Sequence, residues 1–252
     1  MKVLAILQAR MSSSRLPGKV LKCILGKPML WHQIERIKRS SQIDRLIVAT
    51  SIDGSDDELE RFCETHSIDC FRGSLVDVLD RYYQAAQQYD PEHVVRLTGD
   101  CPLIDPELID LTIERHIKEG ADYTSNSLTP TYPDGLDVEV VKSSVLFEAW
   151  ASSEKVSERE HVTLYIRNNA DRYKICGLVS DTDNSSMRWT VDEFEDFEFV
   201  NQIYKRLYAS NPNFSSADVI KALEFEPELQ EINSSFLRNE GLTTSLARDE
   251  KV

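Results

Sequence analysis

The chain has 252 residues and a formal net charge of −14. That length suits one large α/β domain or two small ones, and the acidic excess argues against nucleic acid as a main partner, because duplex-binding surfaces are basic. Five cysteines stand singly, with no C-x-x-C pair and an odd count, which points to reduced thiols in the cytoplasm and away from a disulfide framework or a zinc site. No apolar stretch approaches the roughly 18 residues of a membrane span. Gln8 and Arg10 also interrupt the N-terminal apolar run before it reaches signal-peptide length.

Val3 to Leu7 is short and aliphatic, as befits a strand of a parallel sheet covered on both faces. It runs into a loop carrying Arg10, Ser12, Ser13, Ser14, Arg15, Gly18 and Lys19. Three cations, three hydroxyls and backbone N–H groups around a glycine can converge on one anion, and such donors at the carboxyl edge of a sheet hold a triphosphate. The competing reading is a solvated basic turn before a helix. Neither GxxxxGK[ST] nor GxGxxG is present, so this is neither a Walker loop nor a dinucleotide fingerprint.

Leu21 to Ile24 and Gly26-Lys-Pro read as a connector before a helix from Met29 to Arg39, with Leu30, Ile34 and Ile37 on one face. Leu46 to Ser51 is a second buried strand, and Asp53 to Asp57 caps a helix from Glu58 to His66. Cys70-Phe71 is a short third strand, followed by a helix from Val76 to about Tyr89. His93 to Thr98 is the fourth strand and ends at Gly99-Asp100. Asp105-Pro-Glu starts a helix that runs to about Glu119, with proline at its first position. This alternation predicts an α/β fold of three layers, a mostly parallel sheet with helices on both faces.

The second half changes character. Tyr123 to Tyr132 is polar and turn-rich, and Leu136 to Val141 alternates apolar and acidic residues, as a half-exposed strand does. Helices are expected at Ser143 to Trp150, Ser157 to Ile166, Phe194 to Tyr208 and Ser216 to Leu223. Strands are expected at Tyr173 to Val179 and Met187 to Val191. With no repeat and no low-complexity linker, residues 1–232 form one domain with an inserted excursion at about 123–173, and 233–252 form a tail. Within the excursion, Leu146, Phe147 and Trp150 are apolar residues in need of a partner.

Asp100 and Asp192 each follow an expected strand. Each could be an ordinary helix cap. As a pair beside the first loop they suit Mg2+, which takes one or two carboxylates plus phosphate oxygens. Asp137 and Glu139 share one strand face, and serve either sugar hydroxyls and amines or a solvated edge. Arg159 could grip a sugar carboxylate with two bonds. His161 is either a donor to that sugar or a structural residue, and His32, His66, His93 and His116 read as structural or surface.

Three segments together, QARMSSSRLPGK ending at Lys19, LTGDCPLI around Asp100 and WTVDEFEDFEF around Asp192, resemble the sugar-activating cytidylyltransferases. These include the CMP-KDO and CMP-sialate synthetases and, most similar, the spore coat polysaccharide biosynthesis protein F branch. The resemblance covers nearly the whole chain. It implies a nucleotide-diphospho-sugar-transferase-like, Rossmann-like sheet, and transfer of CMP from CTP to an acidic or modified, nonulosonic-acid-like sugar for surface polysaccharide, with release of pyrophosphate. It places the nucleotide on Ala9, Arg10, Ser14, Arg15, Lys19, Thr98 and Gly99, with Lys19, Arg10 and Arg15 in catalytic roles. It places Mg2+ on Asp100 and Asp192, and it tilts Asp137, Glu139, Arg159 and His161 toward the sugar. It also implies a two-fold homodimer through the excursion. Phe194 stands where many relatives have proline, and Thr98 where the KDO synthetases carry glutamine, so their base contacts do not carry over in full. Cytosine rests on the resemblance alone. Two readings from other classes remain: a glycosyltransferase, for which Asp181-Thr-Asp183 is the available D-x-D, and a non-catalytic nucleotide-binding module.

Overall fold

The computed structural model describes residues 2–236, Arg238, 245–247 and 249. β1 (Val3–Gln8) leads through a 3-10 turn at Lys19–Leu21 into a small hairpin, β2 (Cys23–Ile24) and β3 (Lys27–Pro28), and then α1 (Met29–Ile37). β4 (Arg45–Ser51), α2 (Asp57–Thr65), β5 (Asp69–Gly73), α3 (Val78–Tyr89), β6 (His93–Thr98) and α4 (Pro106–Glu119) then alternate. The second half comprises β7 (Tyr123–Ser125), β8 (Glu139–Lys142), α5 (Ser143–Ser152), α6 (Val156–Glu160), α7 (Leu164–Asn168), β9 (Ile175–Gly177), α8 (Phe194–Leu207) and α9 (Ser216–Phe225).

Among the described residues seven strands form the main sheet, in the order β5-β4-β1-β6-β8-β7-β9. β8 runs antiparallel to β6 and β7, and the other pairings are parallel. The chain builds outward from β1 through β4 to β5, then returns to place β6 on the other side of β1. That reversal opens a crevice at the carboxyl ends of β1 and β6, where ligands of open α/β sheets bind. Gln8 lies opposite Thr98, so the loops after these two residues leave the sheet side by side.

β1 shows why the fold has three layers. Val3, Ala5 and Leu7 pack into one core with Leu30, Leu59, Ile109 and Phe199, from α1, α2, α4 and α8. Leu4 and Ile6 pack into the opposite core with Leu79, Tyr82, Leu146 and Ile166, from α3, α5 and α7. A side-chain period of two sends alternate residues to opposite faces. With each buried aliphatic side chain worth about 1.5–3 kcal/mol, an unbroken aliphatic run is stable only in such a doubly covered strand. Among the described residues no helix is long and apolar enough to cross a membrane.

Several expectations need correction. The segment Leu136 to Val141 is buried on both faces instead of half exposed, because its acidic residue Glu139 turns inward to charged and hydroxyl partners. Tyr123 to Ser125, expected as a polar turn, is a buried strand. It pairs with both β8 and β9, so the 123–173 stretch supplies strands to the main sheet. Met187 to Val191 makes no strand of that sheet and has one isolated bridge, between Arg188 and Asp134. The single helix expected over Ser157 to Ile166 is two short ones, broken where Val162 takes a φ of 48°. Leu146, Phe147 and Trp150 find partners inside the chain. Leu146 is fully buried, Tyr83 stacks on Trp150 at 3.8 Å and packs edge-on against Phe147, and Trp150 Nε1 donates to Asp80 at 2.8 Å.

His116 is buried on α4 between His93 and Thr124, at 3.1 and 3.0 Å. Burial, with the neighbouring His93 and Lys142 adding to it, lowers its pKa to about 4. The unfolded chain therefore takes up this proton first as pH falls, so the stabilisation is complete above about 6.5 and is lost on descending toward 4. His116→Gln should flatten the stability profile between pH 6.5 and 4 by about 3 kcal/mol relative to the parent chain. Urea unfolding at a series of pH values checks this; parallel profiles would remove His116 as the cause.

Candidate active site

The loop between β1 and α1 is held by its backbone. Buried Asp56 accepts from the Met11 N–H at 2.7 Å, and also from the Ser51 N–H and hydroxyl, which ties the loop to the end of β4. Gly18, at a φ of 70°, closes the turn by donating to the Met11 carbonyl at 2.8 Å. Leu16 and Val20 are buried anchors on either side. The side chain between those anchors, Lys19, is therefore directed under the loop and not out to solvent.

Gly99 follows β6 directly beside this loop, and its N–H donates to the Gln8 carbonyl at 2.7 Å. A Cβ there would lie 2.9 Å from Ala9 Cβ and 3.0 Å from the Gln8 carbonyl oxygen, so the approach of the two loops requires glycine. Asp100 comes next. Its backbone carbonyl accepts from the Val191 N–H at 2.8 Å, which brings the 187–192 segment against it. Trp189, fully buried, donates its backbone N–H to the Asp134 carbonyl at 2.6 Å. Gly135, at a φ of 102°, leaves room for the Thr190 backbone.

The result is one charged cluster. Lys19 Nζ donates to Asp192 Oδ1 at 2.8 Å and to the Val191 carbonyl at 2.7 Å, and lies 3.6 Å from Asp100 Oδ2. Arg15 reaches the other Asp192 oxygen at 2.9 Å and Glu193 at 3.3 Å. Burial alone would lower the Lys19 pKa, but the charges of Asp100 and Asp192 overcome it and hold the ammonium above its ordinary value. Burial would likewise raise Asp100, but Lys19 together with hydrogen bonds from Thr98 and Cys101 outweighs it, so the carboxyl stays below its usual range.

Neither carboxylate is a helix cap. Glu193 caps α8 through a capping box with Asp196, and Asp105 caps α4 by accepting from the Glu107 N–H. Asp196, fully buried, accepts from the Asp192 and Glu193 N–H groups, from Asn233, and from Arg188 through two bonds of 2.8 Å. Burial would raise Asp196, but the Arg188 bonds bring it down. Arg188 also meets Asp134 at 3.3 Å. This hub fixes the backbone from which Asp192 projects.

The structure thus brings Arg15, Lys19, Asp100 and Asp192 together, with Ala9, Thr98 and Gly99 alongside. Arg10 and Ser14 are exposed on the same loop. Asp137 is part-buried and pairs with Arg238 at 2.5 Å. Its pKa is pushed up to about 6 by burial, against the pull of Arg238. Glu139, expected to face the sugar, is buried. It pairs with Arg96 and accepts from Tyr123 at 2.6 Å and from the Thr163 hydroxyl, which clamps β6, β7, β8 and the α6–α7 break together. Arg159 is spent on Asp77, the N-cap of α3, at 3.1 Å, and on the Trp150 carbonyl at 2.8 Å. His161 sits at the α6–α7 break, where burial and the neighbouring Arg96 lower its pKa.

Sequence reasoning missed Arg188, Asp196, Arg238 and Arg96. The Glu193 to Asp196 spacing is a recognisable capping box. The other three are arginines whose pairing no motif announces: Arg96 and Arg238 meet partners far along the chain, and Arg188 meets Asp196 eight positions on. The groups that surround Lys19 Nζ are all hard oxygens, two carboxylates and a carbonyl, the chemistry that suits Mg2+. Among the described residues no group of three or more His, Cys, Asp or Glu side chains could hold a metal ion, so the pair would need oxygens from a bound phosphate to complete the shell.

Comparison with known proteins bears on this geometry. The cytidylyltransferase family model matches residues 4–242. The chain is 35% identical over 233 residues to the spore coat polysaccharide biosynthesis protein SpsF of Bacillus subtilis, covering 90% of this chain and 95% of that one. It superposes on a cytidylyltransferase of Leptospira borgpetersenii serovar Hardjo-bovis with a TM-score of 0.88 and 31% identity, over 94% of this chain and 100% of the other. A CMP:2-keto-3-deoxy-manno-octonic acid synthetase complexed with CTP shares the fold at a TM-score of 0.64 and 18% identity, over 82% and 99%.

Breaking a buried ion pair by removing one partner costs about 3–5 kcal/mol, because the other charge is left uncompensated. Arg188→Met should destabilise the chain by about that much in urea unfolding at pH 7. A loss under about 1 kcal/mol, the size of an exposed pair, would show that the backbone donors satisfy Asp196 without it.

Proposed function

The chain belongs to the cytidylyltransferase family, and from that premise we propose that it transfers CMP from CTP to the hydroxyl of an acidic or modified, nonulosonic-acid-like sugar and releases pyrophosphate. The observation that carries this reading is the convergence of two loop cations, Lys19 and Arg15, with Asp100 and Asp192 at the carboxyl edge of β1 and β6. CTP is the ligand of the KDO synthetase that shares the fold, and polysaccharide synthesis is the role named for the Bacillus relative. Both support the reading.

In such a transfer the sugar hydroxyl attacks the α-phosphorus in line, and negative charge builds on the departing pyrophosphate. Lys19 and Arg15, carried on a loop whose backbone is fixed by Asp56 and Gly18, neutralise that charge without reorganising the loop backbone. Exposed Arg10 adds a third cation at the start of the loop. Gly99, which presents no side chain, keeps the floor beside Ala9 low. Asp100 and Asp192 would hold Mg2+, which when bound supplies charge neutralisation and lowers the pKa of an oxygen it touches. Asp137, tethered by Arg238, remains the candidate for a contact to the sugar. The glycosyltransferase alternative gains nothing from the structure. Asp181 and Asp183 lie on an exposed turn, where Asp183 accepts from the Ser185 N–H at 2.9 Å.

Two outcomes test the proposal. CTP with Mg2+ should raise the melting temperature more than ATP, GTP or UTP, since a ligand specific to the native state stabilises it by mass action; equal shifts would count against a cytosine-selective pocket. Lys19→Ala should lower pyrophosphate release, assayed with CTP and a panel of nonulosonic and amino sugars, by roughly 10²–10³-fold. Retained turnover would remove Lys19 from the catalytic set. The same reading includes a two-fold homodimer, and a monomer in sedimentation at micromolar concentration would count against it.

A further inference from the structure

Both loop cations that the transfer needs are already engaged. Lys19 Nζ sits between the carboxylates of Asp192 and Asp100, at 2.8 and 3.6 Å, and its third contact is the Val191 carbonyl at 2.7 Å. Two hydrogen bonds and one ion-pair contact thus hold the ammonium in place. Arg15 takes the remaining Asp192 oxygen at 2.9 Å. Lys19 cannot turn to a phosphate without releasing Asp192, and once Arg15 turns as well the two carboxylates are left at a part-buried site with Arg188, 3.6 Å from Asp192 Oδ2, as the remaining neighbouring cation. Conversely, a divalent cation cannot enter between Asp100 and Asp192 while the ammonium lies there, because the two would occupy one point and repel strongly at close range.

We propose that Lys19, with Arg15 beside it, is an exchangeable counter-ion: the ammonium holds the divalent cation's place between Asp100 and Asp192, and the triphosphate draws it out as the metal enters. This rests on the reading of Asp100 and Asp192 as the metal pair. The exchange conserves charge. Two unit cations leave two carboxylates, one divalent cation replaces them, and the freed lysine and arginine meet the triphosphate. No buried carboxylate is left bare at any stage, which avoids the cost of an uncompensated charge. Metal and nucleotide consequently bind as a coupled pair, each strengthening the other by the same factor, and metal alone binds poorly. The arrangement also keeps the Asp100–Asp192 pair assembled before substrate arrives.

The test measures Mn2+ binding to the full chain by the loss of the free-ion electron paramagnetic resonance signal, without nucleotide. Lys19→Met should bind Mn2+ at least tenfold more tightly than the parent chain, and Mn2+ should raise its melting temperature more than it raises the parent's. Adding Asp192→Asn to Lys19→Met should abolish the gain. Should Lys19→Met not fold, Lys19→Gln, which keeps an N–H for the Val191 carbonyl, serves the same comparison. Equal or weaker Mn2+ binding in the lysine variant overturns the exchange. If Asp100→Asn and Asp192→Asn still weaken Mn2+ binding in the presence of CTP, that result leaves the metal reading standing. If neither asparagine variant weakens it, the metal reading fails and the exchange fails with it.

Discussion

The site depends on the compensation of buried charge at the carboxyl edge of β1 and β6. Asp100 and Asp192 stand 92 positions apart in the sequence, and two carboxylates at one part-buried point repel each other. Lys19 between them turns that repulsion into the tie that joins the first loop, the end of β6 and the segment before α8. Backbone bonds from Gly99 to Gln8 and from Val191 to Asp100 bring the same segments together, and without the cation the two carboxylates would oppose that approach. The net acidity of the chain sharpens this point, because scattered surface carboxylates offer no substitute for a lysine delivered from one fixed turn.

A second set of ion pairs supports the first. Arg188 binds buried Asp196, and Asp196 in turn accepts from the backbone of Asp192 and Glu193. Asn233 and Arg238, from the region expected to be a tail, complete it by bonding to Asp196 and to Asp137. The tail is therefore part of the support of the site where it is described. The rest of the stretch expected as 233–252 lies mostly outside the described residues. On the opposite side, Arg96 and Glu139 close the boundary between parallel and antiparallel strands. These clamps are costly to assemble, since every partner gives up water, and they are stable because each charge is met within hydrogen-bond distance.

Backbone geometry decides how close the segments come. Gly99 admits Ala9 and Gln8 at distances no side chain tolerates, and Gly135 does the same for the Thr190 backbone. The register that pairs Gln8 with Thr98 sets the height of both loops above the sheet. Together they place rigid strands beneath the charged groups of the loops, a division of labour seen where function sits on loops held by a fixed scaffold.

The sequence by itself determined the parallel half of the fold and the identity of the charged pair. The aliphatic runs of β1, β4 and β6, the Asp105-Pro start of α4 and the cationic loop ending at Lys19 are local signals, because burial period, capping and turn chemistry act over a few residues. Asp100 and Asp192 were visible as carboxylates after apolar runs, though Met187 to Val191 proved to be no strand of the sheet. Only the tertiary structure decided what each charge faces. Glu139 and Arg159 look like ligand residues in the sequence and are held in internal ion pairs in the fold, and His161 lies part-buried at the α6–α7 break, whereas Arg188, Arg96 and Arg238 carry no local mark and Asp196 shows only its capping-box spacing, yet these four hold the site together. The reason is physical: a periodicity records which face is buried, but which charge a buried charge meets, eight residues away for Arg188 and Asp196 or 43 for Arg96 and Glu139, is fixed by the register and loop contacts that exist only once the chain has folded.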